Sequence, residues 1–168
     1  MSFLLPIFEA LEAAHIRYVT VGGVAVVLRG HPRLTADLDL AVDLRPEHAA
    51  AAMATLTALG FRPRLPVDPA GFADPEVRRS WIEEKGMTVF SLWDPEDPTR
   101  AVDLFAVEPI SFDELWDRSE LIDLGTTKAR VASVDDLITM KRMAGRAVDQ
   151  QDIEALTALL EQEQPDDG

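Results

Sequence analysis

The chain contains no cysteine, which excludes disulfide frameworks, thiolate metal sites and cysteine nucleophiles together. Its three histidines, His15, His31 and His48, are scattered. They give no H-x-x-x-H spacing, so a histidine-built metal centre is not expected. No apolar run approaches the ~18 residues of a membrane span. The opening "MSFLLPIFEALEAAH" is too short and too acidic for a secretory signal. A cytoplasmic protein with no membrane partner is the expectation. Positive charge is scarce as well: 16 basic residues face 30 acidic ones, a formal net charge of −14. A field of that sign disfavours long duplex DNA and anionic lipid. All but three of the bases are arginine, a residue suited to bidentate phosphate or carboxylate contacts.

What is present fits one soluble domain. Of 168 residues, 47% are hydrophobic and 27% charged, enough for a sizeable core without staples. Residues 1–162 are expected to form that domain and 163–168 an acidic, frayed tail. Leu4, Phe8 and Leu11 recur at helical spacing over 3–14. "RYVTV" (17–21) predicts a strand stopped by Gly22 and Gly23, "VAVVLR" (24–29) a short buried helix, and "GHPRLTA" (30–36) a loop. "DLDLAV" (37–42) is the next strand. Pro46 opens a helix that Gly60 ends. Residues 66–77 read as a loop, 78–85 as a short helix, and 87–93 and 100–107 as neighbouring strands joined by "DPEDPT". Ser111 predicts the cap of a helix over 111–119, followed by strands near 120–124 and 128–132. Ser133 caps the next helix, and Asp149 is expected to cap a last one whose apolar face is Ile153, Leu156, Leu159 and Leu160. The class is α+β, a mixed sheet flanked by helices.

The residues that carry chemistry lie in the strand 37–42. Side chains i and i+2 share a strand face, so Asp37 and Asp39 project side by side while Leu38 and Leu40 enter the core. Two carboxylates held that close repel unless a proton or cation sits between them. They suit magnesium, which takes one or two carboxylates plus substrate phosphates. A D-x-D pair is also a common solvated strand face. Asp103 interrupts the apolar run "AVDLF", and if its strand neighbours 37–42 the three acids converge. Three acids on two strands suit two ions ~4 Å apart, the arrangement for in-line phosphoryl displacement. Alone, an acid such as Asp103 in an apolar strand is more often a salt-bridged or edge residue than a ligand. Gly22-Gly23 stands between a strand and a helix, where backbone N–H groups can approach an anion.

Together these pieces carry a resemblance. "VGGVAVVLRGHPRLTADLDLAV" resembles the entry motif of the nucleotidyltransferase superfamily with the DNA polymerase β-like fold. Arg33, Thr35, Asp37 and Asp39 form R-x-T-x-D-x-D, which looks most like the nucleotidyltransferase toxins of abortive-infection and toxin–antitoxin systems. "AVDLF" is similar to the strand bearing the third acid. "VASVDDLITMKRMAGRAVDQQDIEAL" is similar to those proteins' C-terminal signature of a lysine helix, R-x-x-D-x-x-D-I and a closing helix. The resemblance spans about residues 17–160 and implies that fold, with C-terminal helices.

It also implies roles. Asp37, Asp39 and Asp103 would ligate two Mg²⁺ ions, with Asp103 also activating an acceptor hydroxyl. Gly22 and Gly23 would line the triphosphate path, and Lys141 and Arg146 would contact phosphates or the leaving pyrophosphate. Arg33 and Thr35 would order their loop or meet the nucleotide. The implied reaction moves an NMP from an NTP to a hydroxyl of tRNA, a protein or a small molecule, and a toxin would have a cognate antitoxin. Many members place serine after or within the glycine pair; here that place is Val24, which cannot donate. The alternative is a non-catalytic binding or partner module on the same fold. Structural readings of the C-terminal cluster are that Arg146 pairs with Asp149 and that Asp152 ties the last helices together.

Overall fold

The computed structural model describes residues 3–163. Of the expected tail, Glu163 closes the last helix, and residues 164–168 lie outside the described residues. The helices are α1 (Leu4–Ala13), α2 (Gly22–Leu28), α3 (Pro46–Ala58), α4 (Pro75–Lys85), α5 (Phe112–Arg118), α6 (Val134–Ala144) and α7 (Ala147–Glu163). The strands are β1 (Tyr18–Val21), β2 (Asp37–Val42), β3 (Arg62–Pro63), β4 (Val89–Trp93), β5 (Ala101–Phe105), β6 (Glu120–Asp123) and β7 (Lys128–Val131).

The strands form one mixed sheet in the order β3-β4-β5-β2-β1-β7-β6. Strand β2 runs antiparallel to β1 and parallel to β5, while β1 runs parallel to β7. Alternation sorts the two faces. Leu38, Leu40, Leu92, Val102 and Leu104 are fully buried on one face. Aromatic contacts hold helices there: Phe8 of α1 stacks on Tyr18, and Phe72 and Trp81 pack on Phe90. The opposite face carries Asp37, Asp39 and Asp103 and is only partly roofed. There α6 passes over it, so that Leu137 and Met140 share a cavity with Phe105.

Local chemistry explains most boundaries. Ser111 accepts from the Glu114 N–H, and Ser133 from that of Asp136, as the caps require. Pro46 occupies the first turn of α3. Differences from expectation have local causes. Helix α4 starts at Pro75 rather than at 78, because Asp74 accepts from the Glu76 and Val77 N–H groups. The loop before it contains a 3-10 helix, Pro69–Ala73, capped by Asp68. The unforeseen β3 has two residues and pairs only with β4, an edge where proline is tolerated. Asp149 is not the first-position cap of α7. The helix begins two residues earlier, and Asp149 is third in it. Its buried carboxylate accepts from the Arg146 backbone N–H as well as pairing with the side chains of Lys141 and Arg146.

The end of β2 is fastened by charge. Asp43 is buried and accepts from Arg17 at 2.9 Å and from the Arg45 side chain. Burial alone would raise the Asp43 pKa, but the Arg45 and Arg17 hydrogen bonds overcome it and hold the carboxyl below its ordinary value.

Candidate active site

Parallel pairing of β2 and β5 puts Asp39 directly opposite Asp103 and Asp37 opposite Ala101. Cross-strand partners share a face, so the three carboxylates stand together at the start of β2 and the middle of β5. Asp37 is exposed, while Asp39 and Asp103 are half-buried. On β4, Ser91 is the register partner of Asp103. Among the described residues no group of three or more His, Asp or Glu side chains is preformed around a metal position.

Gly22 lies under Asp39. A Cβ at Gly22 would land on the Asp39 carboxylate, and its φ of 66° is a left-handed conformation that side chains rarely adopt. Helix α2 begins at Gly22, two residues before the expected start. A Cβ at Gly23 would lie 2.6 Å from Thr35 Oγ1 and 3.5 Å from Arg33 Cζ. So the R-x-T loop packs onto the glycine pair. Val24 points into the core, and the hydroxyl that approaches the glycines is that of Thr35.

Burial, then the neighbouring charges of Asp103 and Asp37, raises the Asp39 pKa to about 7, although Arg146 and Lys141 pull it down. Asp103 is raised too, first by burial and also by Asp37, against the opposing Ser91 hydrogen bond and Arg64. Either a proton or a cation would relieve the repulsion of this pair. Such a site is poised for one of them.

The C-terminal signature forms a buried ion network. Lys141 is buried, with Nζ 2.7 Å from Asp152 and 3.3 Å from Asp149. Arg146 Nε donates to Asp149 at 2.9 Å, and Arg33 donates to Asp152 across 119 residues of sequence. The expected Arg146–Asp149 pair and the tying role of Asp152 are thus present. Arg33 reaches helix α7. What sequence reasoning missed is that Asp149 and Asp152 together grip Lys141; their i,i+3 spacing on a helix was the available signal. Lys141, Arg146 and Gly22 line a cavity of about 400 Å³ whose other walls include Phe105, Leu137 and Met140. Every residue expected in the site therefore touches, or acts electrostatically on, another of the set.

No family model and no curated protein sequence matches the chain. Solved structures do. The lincosamide antibiotic adenylyltransferase LnuA, with lincomycin bound, is 16% identical with a TM-score of 0.61, covering 93% of this chain and 95% of that one. A protein of Thermotoga maritima assigned as a nucleotidyltransferase is 15% identical with a TM-score of 0.59, covering 96% and 92%. An antigenic nucleotidyltransferase-like protein from Paracoccidioides brasiliensis is 17% identical with a TM-score of 0.55, covering 91% and 72%. With its acid pair on adjacent parallel strands and its glycine turn beneath, the chain has the nucleotidyltransferase fold.

Proposed function

We propose that the chain, acting as one domain over residues 1–162, is a Mg²⁺-dependent nucleotidyltransferase that moves an NMP from an NTP to a hydroxyl and releases pyrophosphate. The observation that carries this reading is the register pairing of Asp39 with Asp103, with Gly22 closed against Asp39. The donor set fits magnesium: all oxygen, carboxylate, and open enough that substrate phosphates would complete it. Asp37, Asp39 and Asp103 would hold two ions, which when bound neutralise charge on the triphosphate and on the pyrophosphate that leaves.

The chain's own groups do the rest. Asp103 takes the acceptor hydroxyl's proton as that oxygen attacks the α-phosphorus. The P–O bond to the β-phosphate breaks, and its electron pair leaves with pyrophosphate. Lys141 and Arg146 stand beside the acids and compensate the leaving charge. Gly22 and Gly23 border the triphosphate path, with Thr35 and Arg33 as the nearest side chains.

The acceptor classes are a tRNA end, a protein side chain and a small molecule. The mostly apolar 400 Å³ cavity and the net charge of −14 favour a small molecule. So does the fold's likeness to an adenylyltransferase bound to lincomycin. A toxin with a cognate antitoxin is the biological setting that the R-x-T-x-D-x-D run supports. It requires a growth defect on expression that Asp39→Ala removes.

The reaction is tested with NTPs labelled at the α-phosphate, in cell extract fractionated by size. Magnesium-dependent label on any acceptor, absent with Asp103→Asn, is the expected result. No transfer by a protein that binds NTP normally contradicts it. A non-catalytic partner module is the second reading, supported by Val24 facing the core and by Arg33 and Thr35 packed over Gly23.

A further inference from the structure

A second cleft, of about 650 Å³, lies between the β2–α3 junction, α4 and the segment after β5. Its lining residue Asp43 is four positions along the chain from Asp39, about 13 Å at the rise of a strand. It lies away from the acid cluster. Arg78 stands in its wall and is 8% exposed. The guanidinium donates to the carbonyls of Phe72 and Leu44 and lies 5.7 Å from the Phe72 ring centroid. Among the described residues no carboxylate comes within ion-pair distance of it. A guanidinium has five N–H donors, so three of Arg78's make no bond to the described protein. A buried cation without a counter-ion is costly, and an arriving anion recovers that cost.

We propose that this cleft binds a small organic phosphate, its phosphate held by Arg78, Arg79 and Arg45. Arg79 follows Arg78 on α4, is exposed and has no ion pair among the described residues. Arg45 lies at the cleft's entrance. It commits Nε and Nη2 to Asp43 and keeps Nη1 free of protein partners among the described residues. Three guanidinium groups from two elements match the several oxygens of a phosphate better than the two of a carboxylate. The acids around the cleft are accounted for: Asp43 is saturated by Arg17 and Arg45, and Asp113 accepts from Arg17. Among the lining acids Glu108 is without an ion pair and is the first internal rival for Arg78. Asp74, committed to the backbone N–H groups at the start of α4, acts on Arg78 more weakly. The cleft is far larger than a phosphate, and Ile82, Val107 and Phe112 offer apolar wall for the rest of the ligand. The site is independent of nucleotidyl transfer.

Phenyl phosphate is the probe, titrated calorimetrically in chelator so that no divalent ion recruits phosphates to the acids. Saturable binding is expected, weakened about tenfold by Arg79→Gln or Arg45→Gln and lost with Arg78→Gln. Glu108→Gln is expected to tighten it severalfold, and Asp39→Asn to leave it as in the wild type. The exposed Arg79 and Arg45 variants keep the test sound if Arg78→Gln folds poorly. No saturable binding by the wild type overturns the proposal, as does binding indifferent to Arg79→Gln or lost with Asp39→Asn. A Glu108→Gln variant that loses stability without tightening the probe also overturns it, since Glu108 would then be the counter-ion of a structural Arg78.

Discussion

Asp39 is the residue on which the site turns. Its pKa of about 7 means that between about pH 4 and 7 the folded chain holds a proton there that the unfolded chain has released. The contribution of this group to stability therefore falls as pH rises through that window. Above pH 7 the half-buried charge is relieved only in part, by Arg146 and Lys141. In chelator at pH 8, Asp39→Asn is expected to be more stable than the wild type by roughly 1–3 kcal/mol, with the gap closing below pH 5, as urea unfolding at several pH values will show. An Asn variant that is less stable at pH 8 would mean that Asp39 is held by groups favouring its charge. Gly22 is the matching constraint. Gly22→Ala places a Cβ on the Asp39 carboxylate at a positive φ, and is expected to cost about 1–3 kcal/mol in strain alone. Magnesium-dependent binding should be lost with it.

At the scale of elements, α7 holds the site's lysine. Asp152 is buried between Lys141 and Arg33, so it joins α6, α7 and the loop before β2. Asp152→Ala leaves Lys141 with Asp149 alone and is expected to destabilise the fold by about 3 kcal/mol, read as a lower urea midpoint at unchanged m. Strand β2 was legible to the residue, because "DLDLAV" alternates cleanly and is flanked by turn residues. That β4 and β5 are neighbours was legible through the short link between them, and the structure makes the pair antiparallel. The Asp39–Asp103 register was not, since the order of strands is decided by the tertiary fold and not by local pattern. The same holds for Arg33 reaching Asp152 across 119 residues of sequence. Asp149 was legible only in part: it does accept from a backbone N–H at the start of α7, but from the third helical position, and its grip on the buried Lys141 is a tertiary contact. The Asp74-Pro75 pair was a helix-start signal in the sequence that the loop reading of 66–77 passed over.

Across the whole molecule, negative charge and a mixed sheet divide the labour. One sheet face is sealed by α1, α3 and α4 and supplies the core. The other concentrates acids beside a small group of buried or anchored cations. No described helix is long and apolar enough to cross a membrane. The net charge of −14 is expected to prevent retention of a 30-base-pair duplex in gel shift at about 150 mM salt, where bound DNA needs net phosphate neutralisation.

The central claim is that the β2 and β5 acids and the glycine turn hold a magnesium-bound NTP. Thermal unfolding tests it most directly, with Mg²⁺ and each of the four NTPs in turn, on the wild type and on Asp39→Asn. A ligand at ~100 times its dissociation constant adds ~2.7 kcal/mol, a rise of roughly 5–10 °C for a chain of this size. The expected result is such a rise with at least one NTP, dependent on Mg²⁺ and absent in Asp39→Asn. No rise with any NTP from the folded wild-type protein, or an equal rise in the variant, would contradict it.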